Sequence, residues 1–126
     1  MMILGIGTDI VHISRIKSSC ERLGRRFAER ILTSEELKQW HSHSRPEVFL
    51  AKRFAVKEAA SKALGTGIGQ GVSWQHISMT HTELGAPLLL LTGQAHQRAQ
   101  QLGMNHSHLS LSDEVDMVVA FVVIEQ

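Results

Sequence analysis

Apolar positions change their spacing several times along this chain, and each change marks a structural element. Residues 2–8 are short, apolar and glycine-containing, which predicts a buried strand ending near Thr8-Asp9. Ile13, Ile16, Cys20 and Leu23 then recur at helical spacing up to Gly24, a glycine placed to close a helix, while Arg15 and Arg22, seven apart, share an outward stripe. Thr33-Ser34-Glu35-Glu36 has the form of a capping box, in which Thr33 accepts from first-turn amides and Glu36 reaches back, and it opens a short helix through Trp40. From Pro46 to Leu64 there is no glycine and no internal proline, and alanine is abundant, so a long helix is predicted, ending at Gly65.

The second half alternates shorter elements. Residues 65–71, with four glycines, form a loop, followed by a strand from Val72 to Thr80. Residues 83–87 supply a turn, Leu88 to Leu91 another strand, and Ala95, Ala99 and Leu102 a helix closed by Gly103. Residues 106–112 alternate, with Leu109 and Leu111 on one face and His108, Ser110 and Ser112 on the other, while Val115 to Glu125 is apolar enough for a central strand. Strands and helices mix without regular βαβ units, which predicts an α+β fold in one small domain spanning residues 1–126.

Composition adds limits. At 126 residues, with 43% hydrophobic and 20% charged positions, the chain has the make-up of an ordinary globular domain rather than of a disordered or collagen-like one. Its single cysteine, Cys20, cannot form an internal disulfide and falls on an apolar stripe, so it reads as a small buried hydrophobe. No basic region precedes the first apolar stretch, which meets Asp9 early, so no signal peptide is expected and a cytoplasmic location follows. The longest apolar run, Met117 to Ile124, falls far short of the ~20 residues of a membrane-spanning helix.

The net charge of +1 hides an asymmetry, because residues 15–62 hold twelve of the thirteen Lys and Arg but only six of the twelve Asp and Glu. Arg15, Lys17, Arg22, Arg25, Arg26 and Arg30 are opposed locally only by Glu21 and Glu29, so this stretch is either a solvated face or a docking surface for an acidic or phosphate-bearing partner. A non-catalytic polyanion-binding module is one function this charge would serve. Nucleic acid is disfavoured as the partner: only six residues are aromatic and no tyrosine is present, too few for a base-stacking surface.

Neither Gly5-Ile6-Gly7 nor residues 65–71 completes a dinucleotide fingerprint or a Walker motif, which leaves the second stretch as a helix stop or a phosphate contact. His41-Ser42-His43 and His106-Ser107-His108 lack the further ligands and the helical His-Glu-x-x-His pattern of a zinc hydrolase. Glu58 and Lys62, four apart, share a helix face near its apolar border, with Phe54 one turn earlier. Asp9 either caps the helix that follows it or joins Glu58 in holding a hard divalent cation, and two carboxylates suit Mg²⁺ completed by water and substrate phosphates.

Residues 5–10, Gly-Ile-Gly-Thr-Asp-Ile, with Arg15-Ile16, then residues 49–63, which contain Lys57-Glu58-Ala59-Ala60-Ser61-Lys62, then Gly65-Thr66-Gly67-Ile68, together resemble the holo-[acyl-carrier-protein] synthase family of small 4′-phosphopantetheinyl transferases. The resemblance runs nearly end to end, through His108-Leu109-Ser110 to Val122-Val123-Ile124-Glu125. Three positions depart from the family's usual pattern: Ala86 in place of lysine, His76 in place of an acid and Met117 in place of an aromatic. The resemblance implies a homotrimer with active sites between subunits, in which the serine hydroxyl of apo acyl carrier protein attacks the β-phosphate of coenzyme A and 3′,5′-ADP is released. It implies Mg²⁺ on Asp9 and Glu58, Lys62 as a second positive charge, and Glu58 or a metal-held water as acceptor of the serine proton. Arg53, Lys62, Gly65, Thr66, Gly67 and His108 are implied contacts to coenzyme A. The strongly acidic carrier then becomes the expected partner of Arg15, Arg22, Arg25 and Arg26.

Overall fold

An 18-residue helix, α4 (Pro46–Ala63), is buried on almost every side, and the other elements are arranged around it. Pro46 sits in its first turn, where the missing N–H costs nothing, and no helix breaker interrupts it. Its small residues Ala51, Ala55, Ala59, Ala60 and Ala63 let neighbouring backbones approach closely. In this computed structural model, which describes residues 2–126, α4 packs across a three-stranded antiparallel sheet in the order β1 (Ile3–His12), β5 (Met117–Glu125), β4 (His106–Asp113). A two-stranded antiparallel hairpin, β2 (Ile77–His81) with β3 (Pro87–Leu91), flanks it. The remaining helices are α1 (Ile13–Leu23), α2 (Arg25–Ile31), α3 (Ser34–Ser42) and α5 (Gly93–Leu102). None of the described helices is long and apolar enough to cross a membrane.

The closest approach is between β1 and α4, and glycine makes it possible. A Cβ built on Gly5 would lie 1.9 Å from the Ala63 carbonyl oxygen, and one on Gly7 1.8 Å from that of Ala59. These contacts are with backbone and cannot be relieved by turning a side chain. Gly7→Ala should therefore push strand and helix apart, destabilising the protein by about 3 kcal/mol or more and lowering Tm by roughly 10 °C or more. Thermal unfolding followed by circular dichroism checks this; an unchanged Tm would show that the contact can relax.

Several elements match their sequence signals. Thr33 and Glu36 form the capping box of α3, which runs on to Ser42, Gly24 closes α1, and Gly103 closes α5 in the left-handed conformation. Leu109 and Leu111 face inward while His108, Ser110 and Ser112 are exposed, and β5 is the central strand. Other boundaries differ. The first strand does not stop near Asp9: its ladder with β5 continues through Asp9↔Ala120 to His12↔Met117, so Asp9 lies within the strand and caps no helix. The N-terminus of α1 is instead closed from far along the chain, where the Asp116 carboxylate accepts from Ser14 N–H at 3.0 Å and the Asp116 carbonyl from Ile13 N–H at 2.8 Å. Val72 forms an isolated bridge with Gly69 and residues 74–76 a 3₁₀ turn, so the strand begins at Ile77 rather than Val72, and the final strand begins at Met117 rather than Val115. Residues 25–31 form a separate helix, so Arg25 and Arg26 belong to α2 and do not extend the first helix.

Candidate active site

On β1 every second residue faces α4, because side chains alternate across a strand. Gly5, Gly7, Asp9 and Val11 occupy that face, register-paired with the inward residues Ile124, Val122, Ala120 and Val118 of β5. The two glycines bring the helix down onto the strand. One step further along, the same face delivers the Asp9 carboxylate to the helix surface carrying Glu58 and Lys62. Lys62 Nζ donates to Asp9 Oδ1 at 3.2 Å and to the Thr8 carbonyl at 3.0 Å; the Asp9 side chain is only 15% exposed, whereas that of Lys62 is 50% exposed.

Glu58 is half-buried, and its carboxyl is pushed above the ordinary range first by burial and then by the negative charge of Asp9, with Lys62 and Arg15 pulling it back. Two carboxylates thus share one partly desolvated corner, and their repulsion is offset by a single close lysine. Such a corner favours a cation. Among the described residues no third His, Cys, Asp or Glu joins them, which leaves a donor set suited to Mg²⁺, since that ion takes one or two carboxylates and fills its sphere with water and phosphate oxygens. Arg15, the charge on α1 that acts on Glu58, is exposed, and Arg22, also exposed, lies two turns further along the same helix.

The glycine loop after α4 is folded back on the helix. Gly65 N–H donates to Lys62 O, and both Thr66 and Gly67 N–H donate to Ser61 O. These amides close the helix end, so what Gly65 and Gly67 bring to a neighbouring ligand is room for close approach. Gly65 and Thr66 also border a polar cavity of about 220 Å³, where Arg98 Nε donates to Leu64 O at 2.9 Å.

Arg53 and His108 do not join this corner within one chain. Arg53 precedes Glu58 by five residues, about 140° around α4. It is 6% exposed, with Nε 3.3 Å from Glu36 Oε2 and its guanidinium 4.4 Å above the Phe49 ring. Its surroundings include a cavity of about 500 Å³, whose lining adds Lys52 from α4, Gln39 and His43 at the end of α3, and His81 from β2. His108 projects from the opposite sheet face to Asp9, on a strand separated from β1 by β5 and hence about 10 Å away, and its Nε2 lies 3.1 Å from Glu125 Oε1.

Lys52, His43 and His81 escaped the sequence reading as companions of Arg53. Lys52-Arg53 adjoin in sequence, but His81 reaches the cavity only through packing of the β2–β3 hairpin, which no local signal announces. Of the departures noted above, Ala86 is exposed in the hairpin turn, His76 Nδ1 accepts from Ser73 N–H at 3.1 Å, and Met117 lies on the outer sheet face.

Comparison with known proteins fits this geometry. Residues 5–122 match the model of the 4′-phosphopantetheinyl transferase superfamily. The chain is 52% identical over 125 residues, 99% of each chain, to a holo-[acyl-carrier-protein] synthase of Vibrio cholerae. It superposes on the crystal structure of the Neisseria meningitidis holo-[acyl-carrier-protein] synthase with a TM-score of 0.94 and 46% identity, covering 99% of this chain and 100% of that one. For the Helicobacter pylori enzyme in complex with coenzyme A the TM-score is 0.81 at 32% identity, covering 95% of this chain and 99% of that one. An acidic pair between a glycine-bearing strand and a Lys-Glu-Ala helix, carried on this fold and matched along nearly the whole length, places the chain in the 4′-phosphopantetheinyl transferase superfamily, among the holo-[acyl-carrier-protein] synthases.

Proposed function

We propose that this enzyme transfers 4′-phosphopantetheine from coenzyme A to a serine of apo acyl carrier protein in the cytoplasm, releasing 3′,5′-ADP, with Mg²⁺ held by Asp9 and Glu58. The observation that carries the reading is the Asp9–Glu58–Lys62 corner, where two carboxylates and one exposed ammonium meet. Bound Mg²⁺ supplies neutralisation of the pyrophosphate and polarisation of the phosphorus under attack. Lys62, half in solvent, brings a second positive charge to the oxygens that gain charge as the phosphoanhydride breaks. Glu58, with its carboxyl raised, is placed to accept the proton of the attacking serine hydroxyl. Gly65, Thr66 and Gly67, folded back on the end of α4 beside the Ser61 and Lys62 carbonyls, would contact coenzyme A from the loop. The attacking hydroxyl belongs to the carrier, so no residue of this chain acts as nucleophile.

The remaining contacts come from a second copy. Arg53 and His108 point away from Glu58 in the same chain, yet Arg53 opens onto a cationic cavity suited to a phosphate group. The sheet's outer face supports assembly: Ile6 is 60%, Ile10 59%, Phe121 44% and Met117 36% exposed, an apolar surface that a single chain leaves to water. A homotrimer covering this face would bring Arg53 and His108 of one protomer beside Asp9, Glu58 and Lys62 of its neighbour.

The test is direct: incubate the protein with coenzyme A, Mg²⁺ and apo carrier, and follow the carrier by mass spectrometry. Phosphopantetheine added only when all components are present is the expected result, and an unmodified carrier would refute the reading. The basic surface gives a second prediction. Arg15 acts on Glu58, so its reversal disturbs chemistry as well as docking; Arg22 is the cleaner probe. Arg22→Glu should raise the carrier KM about tenfold, weaken the salt dependence of association and leave the coenzyme A KM unchanged. A rise in the coenzyme A KM alone would move this stripe to the nucleotide site.

A further inference from the structure

Resting on Arg53 as a contact to a phosphate of coenzyme A, we infer that Glu36 and Gln39, one turn apart on α3, are positioning residues that hold the Arg53 guanidinium at the wall of the 500 Å³ cavity before the nucleotide arrives.

The two oxygens of Glu36 do different work. Oε1 accepts from Thr33 N–H at 2.9 Å and from Lys57 Nζ at 2.7 Å, which caps α3 and anchors the buried Lys57; Lys57 also donates to the carbonyls of Ile31 at 2.7 Å and Trp74 at 3.1 Å. Oε2 takes no part in those bonds. It faces Arg53 Nε at 3.3 Å without an aligned hydrogen bond, and neither atom has another partner. Gln39 Oε1 accepts from Arg53 Nη2 at 3.4 Å, and the Phe49 ring lies against the guanidinium at 4.4 Å. A long side chain that would otherwise sample many rotamers is therefore restrained from three directions, and the ordering cost of binding an anion is met during folding.

The charge balance suits an anion in this cavity. Glu36, Lys57 and Arg53 are all buried, and two cations against one carboxylate leave one positive charge in excess. Charge and positioning make opposite predictions for Glu36. Were its charge the only influence on Arg53, removing it would strengthen the pull on a phosphate. If Glu36 aims Arg53, removing the charge weakens binding.

Calorimetry of 3′,5′-ADP and coenzyme A on the intact protein decides between them. Glu36→Gln keeps an oxygen for the α3 cap and for Lys57 and should weaken nucleotide binding about tenfold, with kcat at saturating coenzyme A within about twofold of the parent. Gln39→Ala changes an exposed residue and should weaken binding about threefold; it decides the question alone if Glu36→Gln does not fold. Both effects should vanish in an Arg53→Ala background, because both residues act through Arg53. Unchanged or tighter binding in the single variants overturns the positioning role, and so does an effect that persists without Arg53. If Arg53→Ala alone binds 3′,5′-ADP as tightly as the parent, it is the phosphate assignment of Arg53 that has failed, and the positioning role goes with it.

Discussion

Asp9→Asn and Glu58→Gln are each expected to lower phosphopantetheine transfer by at least about a thousandfold, since each deletes one of two carboxylates available to a metal without changing side-chain size. Lys62→Ala should cost about a hundredfold while metal binding survives. Glu58→Gln should do this without harming the fold. The Glu58 carboxyl is raised by burial and by Asp9, so the folded protein holds that proton more tightly than the unfolded chain does. Stability is therefore lost as pH rises through that window, and at neutral pH the ionised group opposes folding. The amide should accordingly match or exceed the parent Tm at neutral pH, the difference closing as pH falls below the ordinary carboxylate range. Single-turnover assays with melting curves at several pH values test both parts. Retained Mg²⁺-dependent transfer in both carboxylate variants would remove the metal assignment, and a large drop in Tm for Glu58→Gln would show that the side chain stabilises the fold.

The second large effect is a recovery. Glu58→Gln is expected to be nearly inactive as a pure protein, and so is Arg53→Ala when coenzyme A is held near the parental KM, well below the raised KM of the variant. If every active site takes Glu58 from one protomer and Arg53 from its neighbour, a trimer holding both variants has about a third of its sites built from two intact halves. Co-expression with two different affinity tags, followed by purification on both, should yield protein with about a third of parental activity per site. Pure variants mixed after assembly, without subunit exchange, should stay inactive. Co-purified protein no more active than the average of its parents would mean that each site lies within a single chain. Arg53→Ala is suited to this experiment because it leaves Glu36 and Lys57 as a balanced buried pair.

The basic surface divides in a related way. Arg15 stands close enough to influence Glu58, whereas Arg22 lies two turns away on the same exposed side of α1, and Arg25 and Arg26 sit beyond Gly24 on α2, where Arg25 pairs with Glu29 at 3.6 Å. A carrier docked along α1 would thus bring its serine toward the acidic corner by contacts whose role shifts from docking at Arg22 to chemistry at Arg15.

What the sequence determined by itself was everything specified over one or two turns: the capping box at Thr33–Glu36, the proline start of α4, the glycine ends of α1 and α5, and the alternation in β4. Glu58 and Lys62 could be placed on one face of a helix because four residues make about one turn. Helix α2 escaped because it has seven residues and no side-chain cap, and is held by burial of Ala28 and Ile31. The extension of β1 past Asp9 escaped because pairing with β5, more than a hundred residues away, overrides a carboxylate that locally reads as a strand end. The cluster of Glu36, Lys57 and Arg53 and the cavity beside it needed α3, α4 and the hairpin to meet. The local code places Arg53 and Glu58 about 140° apart on one helix; only packing shows what each face serves, since what each side chain meets depends on elements far away in the chain.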